Sequence, residues 1–137
     1  MKRLTFLLFI LLVSIQGMAQ TNYKNGVVVS AHPEASKVGI EILKKGGNAI
    51  DASVAVQFAL AVVYPNAGNI GGGGFLVYRD HKGNVDALDY REKAPLAAKE
   101  DMYWGADGNA ITDLSLYGQL AAGVPGTVDG MVKAHQK

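Results

Sequence analysis

The chain has 137 residues, thirteen Lys or Arg against twelve Asp or Glu, and no cysteine. The absence of cysteine excludes disulfides, a thiol nucleophile and a lipid-modified cysteine, so the fold must be held by its core. A charge this close to neutral offers no basic footprint for nucleic acid.

Lys2 and Arg3 precede an apolar run, Leu4 to Ile15, broken only by Thr5 and Ser14. Gly17 and Ala19 follow as small residues at the positions a signal peptidase reads. The pattern predicts a secretory signal peptide over residues 1–19, cleaved between Ala19 and Gln20. The run falls short of the roughly 20 residues that a membrane span needs. Residues 20–137 are then an exported segment, with the periplasm favoured over full secretion.

"GVVVSA", Gly26 to Ala31, is β-branched and apolar, and reads as a buried strand. Pro33 suits the first position of a helix, and Glu34 lies in its first turn. Ala35, Val38, Gly39, Ile42 and Leu43 form an apolar stripe at helical spacing. Lys44 and Lys45 suit the C-terminal end of the macrodipole, and Gly46-Gly47 ends the helix. Asn48 then opens a second helix, Ala49 to about Tyr64, with Asp51 in the reciprocal position of a capping box. From Ala52 to Val63 only Ser53 and Gln57 are polar, which predicts a helix buried on several sides. Pro65 stops it.

Phe75–Asp80 and Val85–Tyr90 read as paired strands around the turn "HKGN". Side-chain alternation puts Leu88 and Tyr90 on one side, Asp89 and Arg91 on the other. Residues 96–120 have no clear period, although "ADGN" at 106–109 reads as a turn. A last helix begins near Gly126 or Thr127, with Val128, Met131 and Val132 as its stripe. Its pattern is still running at Lys137, which predicts a truncated chain.

Four consecutive glycines, Gly71 to Gly74, lie between the second helix and the first strand. A dinucleotide fingerprint has the opposite order, strand then glycines then helix, and no P-loop lysine follows. The run therefore reads as a place where backbone packs closely, with no room for a β-carbon. His32, His81 and His135 have no second ligand at metal spacing. No Gly-x-Ser-x-Gly elbow exists. Asp51 is explained by capping. Asp89, Arg91 and Glu92 cluster at a strand end, where either ligand binding or a solvated ion pair would fit.

"LKKGGNAIDASVAV" (43–56), "YPNAGNIGGGGF" (64–75), "DYREKAP" (89–95) and "AAGVPGTVDGM" (121–131) resemble, in order, signature stretches of the γ-glutamyltranspeptidases. The resemblance covers nearly all of residues 27–131. It implies an α/β (α+β) fold, the αββα sandwich of N-terminal-nucleophile hydrolases, incomplete in this segment. It also implies a precursor that cuts itself into a large and a small subunit. The freed N-terminal threonine of the small subunit attacks a γ-glutamyl amide such as glutathione, and the acyl group passes to water, an amino acid or a peptide. The arginine of the "REKAP"-like stretch binds the substrate α-carboxylate, a role that falls on Arg91. Thr112 and Thr127 match no part of the nucleophile motif. Residues 20–137 are then the N-terminal part of the large subunit, inactive alone, with the nucleophile beyond Lys137. No cofactor or metal is implied. The partners implied are a glutathione-like substrate and the chain's own small subunit. Alternatives are a non-catalytic exported binding domain, or an acylase acting on cephalosporin side chains or poly-γ-glutamate.

Overall fold

The computed structural model describes residues 23–137, so the expected signal peptide lies outside the described residues. The elements are α1 (Pro33–Lys44), α2 (Ala49–Val63), β1 (Phe75–Arg79), β2 (Val85–Asp89), α3 (Thr112–Leu116), a 3-10 turn (Gln119–Ala121) and α4 (Thr127–His135).

The first helix starts as its residues dictate. Pro33 occupies the first turn, and His32 caps it by accepting from the Glu34 amide at 3.3 Å. Gly46, at φ +93°, takes the left-handed conformation that closes a helix without steric penalty. The Gly47 amide then reaches back to the Ile42 carbonyl at 3.0 Å. Directly after it, Asn48 and Asp51 form the expected capping box: Asn48 Oδ1 accepts from the Ile50 and Asp51 amides, while Asp51 Oδ2 accepts from the Asn48 amide at 2.8 Å. The two helices meet at Gly39. A β-carbon there would lie 2.7 Å from Val56 Cγ2 and 2.8 Å from Val28 Cγ1, so glycine sets how closely they approach.

The expected strand at 26–31 does not form among the described residues. The segment has no regular structure, and no described strand hydrogen-bonds to it. Its side chains still alternate: Val28 packs at Gly39, whereas Val27 and Val29 are exposed. β-branched residues supply shape for a strand, but only a ladder partner makes one.

Burial of α2 also differs from expectation. Only Ile50 and Ala52 are buried, and Val62 is 78% exposed. α1 and α4 cover part of the helix, and no other described element packs extensively against the rest. The described core is accordingly small: Ala35, Ile50, Ala52, Met131 and Ala134, with Thr127 as a buried polar member.

The hairpin β1–β2 is antiparallel, with Leu76 opposite Leu88 and Phe75 opposite Asp89. Leu76, Tyr78 and Leu88 are half-buried, and Phe75, Val77 and Val85 face outward. At the turn Asp80 Oδ1 accepts from the Lys82 and Asn84 amides, both at 2.8 Å, and Gly83 takes φ +93°. Residues 96–121 fold into turns tied by a Trp104–Ala110 bridge and by Tyr103 Oη donating to the Leu120 carbonyl at 2.9 Å. Gly108, within the expected "ADGN" turn, has φ +77°.

On α4 the buried stripe is Thr127, Gly130, Met131 and Ala134. Val128 and Val132, expected on it with Met131, are instead exposed. Gly130 takes the inner face where the Tyr90 ring leaves no room for a β-carbon. The helix ends at His135, with Gln136 as its C-cap.

Candidate functional site

Arg91 stands just beyond β2, and its backbone is held between two glycine-rich segments. On one side is the glycine run. A β-carbon on Gly73 would fall 2.6 Å from Arg91 Cα and 2.7 Å from the Tyr90 carbonyl oxygen. The Tyr90 amide donates to the Gly74 carbonyl at 3.0 Å, extending the hairpin ladder by one bond. On the other side is the segment 123–126. Lys93 and Val124 exchange backbone hydrogen bonds of 3.1 and 2.7 Å. Gly126 lies so close to the Tyr90 carbonyl that no β-carbon fits. The two sides are joined to each other: the amides of Gly126 and Thr127 both donate to the Gly72 carbonyl, at 2.8 and 3.0 Å.

The glycine run is therefore close-packed backbone, as its position predicts. The requirement is uneven, however. Gly73 and Gly74 meet the Tyr90–Glu92 segment, whereas nothing lies within 4 Å of a β-carbon on Gly71.

Tyr90 and Arg91 send their side chains to different places. The Tyr90 ring turns inward, under Gly130 and Gly74. Partial burial pushes its phenol above the usual range. The Arg91 guanidinium stays out in solvent, 4.9 Å above the Phe75 ring. Its Nε and Nη2 donate to Asp89 Oδ1 and Oδ2 at 3.4 and 3.3 Å. The Arg91 amide also donates to Asp89 Oδ1 at 3.0 Å. These bonds, the backbone one first, hold the Asp89 carboxyl below the usual carboxylate range.

Chemically, this is an arginine with a fixed backbone and an exposed side chain, one edge of which is engaged. The Nε–Nη2 edge faces Asp89. The Nη1 end makes no hydrogen bond among the described residues and points the other half of the fork at solvent. A guanidinium so held can take an anionic ligand with two parallel hydrogen bonds.

The other candidates are scattered. His32 caps α1, His81 sits in the hairpin turn, and His135 lies 3.4 Å from Asp51. No group of three His, Cys, Asp or Glu among the described residues could hold a metal ion. Asp51 does cap α2, as expected. Glu92 is exposed, with its Cβ against Gly123. Thr112 begins α3 at the surface, while Thr127 is fully buried. Sequence reasoning did not link Thr127, Gly126 and Asn69 to Arg91. The bond from Thr127 to Asn69 crosses 58 positions, and no local spacing announces such a link.

Comparison with known proteins gives these features a context. A family model described as gamma-glutamyltranspeptidase matches residues 35–137. A glutathione hydrolase proenzyme of Pseudomonas sp. (strain A14) is 58% identical over 91% of this chain, which covers 22% of the relative. One from Escherichia coli (strain K12) is 51% identical over 83% of this chain and 20% of its own length. The chain thus spans about a fifth of the curated relatives it matches. Among solved structures, Helicobacter pylori gamma-glutamyltranspeptidase superposes with a TM-score of 0.79 at 55% identity, over 85% of this chain and 34% of that one. The Bacillus anthracis transpeptidase enzyme CapD is more distant, with a TM-score of 0.61 at 30% identity over 86% of this chain and 32% of its own. The helices and single hairpin described above are part of that shared α+β fold. This chain belongs to the gamma-glutamyltranspeptidase family.

Proposed function

We propose that residues 20–137 are the N-terminal part of the large subunit of an exported, periplasmic γ-glutamyltransferase and glutathione hydrolase. Arg91 binds the α-carboxylate of the γ-glutamyl donor. The observation that carries this reading is the held arginine, its backbone fixed on both sides and half of its fork open to solvent.

In the complete enzyme a threonine hydroxyl outside residues 1–137 adds to the γ-glutamyl carbonyl. The α-amine of that threonine takes the hydroxyl proton, and the amine of the donor leaves carrying a proton. The acyl ester is then cleaved by water, or by the amino group of an amino acid or peptide. Developing oxyanion charge is met by preorganised donors. The described residues contribute donor recognition: the carboxylate held at Arg91 orients the γ-carbonyl toward the nucleophile. No cofactor enters this scheme.

Relatives named glutathione hydrolase proenzyme, at 47–58% identity, support the donor class and a precursor form, and division into a large and a small subunit is what the family resemblance implies. The non-catalytic binding domain draws no support from these names. A transpeptidase such as CapD is a weaker guide at 30% identity.

The test is Arg91→Lys in the complete protein, assayed on a γ-glutamyl anilide and on an analogue lacking the α-carboxylate. Lysine keeps the charge but loses the fork. Loss of one charge-assisted hydrogen bond is worth about 1.5–3 kcal/mol, or roughly tenfold or more in kcat/KM on the anilide. The analogue should show little change. Equal losses on both substrates would make Arg91 structural and remove the proposed role.

A further inference from the structure

Thr127 is the one buried polar residue of the described core, and donor recognition by Arg91 alone does not explain it. Its Oγ1 donates to Asn69 Oδ1 at 3.3 Å, across 58 positions of sequence. Asn69 is itself anchored: Gln57 of α2 donates to its backbone carbonyl at 3.2 Å, and its own Nδ2 donates to the Ala67 carbonyl at 3.2 Å. The Asn69 side chain fills the space beside Gly72, where a β-carbon would collide with it. The same Gly72 offers its carbonyl to the amides of Gly126 and Thr127. Side-chain and backbone bonds therefore converge on one joint, where the glycine run meets the start of α4. Both sides that grip the Tyr90–Arg91 backbone depend on that joint: Gly73 follows it on one strand of chain, Gly126 precedes it on the other.

We propose that Asn69 and Thr127 are positioning residues that set Arg91 for donor recognition. The proposal rests on the reading of Arg91 as the carboxylate-binding group. Neither residue touches the ligand. The Thr127 hydroxyl pins the glycine run to α4, Gly73 and Gly126 then fix the backbone of residues 90–91, and that backbone sets where the guanidinium stands. Small displacements of a group that grips a ligand by two parallel bonds lose much of the interaction. A merely stabilising hydrogen bond would lower the population of folded protein but leave discrimination between substrates intact.

The experiment uses the complete protein and the same two substrates. Thr127→Val removes the hydroxyl with little change of shape. Asn69→Ala removes the same bond from its exposed end, and carries the test if the buried valine prevents folding. Thr127→Ser keeps the hydroxyl and should stay near wild type. The first two variants should raise KM for the anilide severalfold, up to about tenfold, with kcat little changed and the carboxylate-free analogue unaffected. The double variant should be no worse than Asn69→Ala alone, because the bond that Thr127→Val removes is already gone in it. Folded variants that lose equally on both substrates, or on neither, overturn the positioning role. Arg91→Lys measured alongside separates the two ideas. If it too fails to discriminate, the carboxylate reading falls; if it discriminates while Thr127→Val and Asn69→Ala do not, only the positioning role falls.

Discussion

A β-carbon on Gly73 would lie 2.6 Å from the Cα of Arg91, with the Tyr90 carbonyl and the Glu92 amide nearly as close. These neighbours are backbone atoms, held by the hairpin ladder on one side and the Lys93–Val124 pair on the other. They have no rotamer into which to retreat. Gly73→Ala should therefore destabilise the complete protein by about 1–3 kcal/mol, the usual range for overpacking. Gly71→Ala, with nothing within 4 Å, should stay within about 0.5 kcal/mol of wild type. Thermal unfolding of the pair checks this. Equal effects would mean that the run matters for flexibility and not for close approach.

Gly130 faces the Tyr90 ring at a separation that admits no β-carbon. Alanine in a helix interior is normally better than glycine by about 0.8–1 kcal/mol. Here the clash should reverse the sign, and Gly130→Ala should destabilise. The Tyr90 Cβ would also be 2.5 Å away, so only a Tyr90→Gly background removes the whole obstacle, and there the helical preference should reappear. A double-mutant cycle measures the coupling. Additive effects would show that Tyr90 does not set the small residue on α4.

Asn48 accepts from two amides at the start of α2, and Asp51 returns a bond to the Asn48 amide. Asn48→Ala should lower stability by about 1 kcal/mol. Asn48→Asp keeps the acceptor and should recover most of that loss. A denaturant midpoint that stays the same for alanine would mean that packing alone fixes where α2 begins.

Asp89 is held below its ordinary value by the Arg91 amide first and the guanidinium next. A carboxyl depressed on folding adds stability above its unfolded value, about 3.9, and that contribution disappears as pH falls through the lower folded value. The contribution is therefore complete at neutral pH and lost below about pH 4. Unfolding midpoints of wild type and Asp89→Asn, followed from pH 6 down to pH 2, should converge on the acid side. Parallel curves would show that Asp89 and Arg91 are not coupled in solution.

Much of the local structure was legible because it is written in neighbouring residues. Pro33, Gly46, Asn48 with Asp51, and Gly83 each act within a few positions, and the elements they bound formed as expected. Two readings failed for a common reason. Val27 and Val29 had strand chemistry but no described ladder partner, and Val128 and Val132 had helical spacing but lost the inner face to Thr127 and Gly130. Periodicity says which residues could face a core, and the neighbours decide which ones do. Asp89, Arg91 and Glu92 stand out in the sequence as a cluster at a strand end, but only the family resemblance assigns Arg91 a carboxylate to bind. What holds Arg91, from Asn69 to Thr127, depends on three distant segments meeting, and spacing along the chain does not encode such a meeting.

The two amides that converge on the Gly72 carbonyl have a kinetic consequence. They close a loop of on the order of fifty residues, and closure entropy rises with the logarithm of that length. The α1–α2 pair and the β1–β2 hairpin need only short loops and should form first. Pulse-labelling hydrogen exchange during refolding should show the Gly126 and Thr127 amides gaining protection after those of the hairpin; simultaneous protection would contradict this order. The backbone of Arg91 would then be among the last parts of this region to acquire its native geometry, so a chain caught midway through folding would hold its first two helices and its hairpin while residues 90–91 were still unplaced.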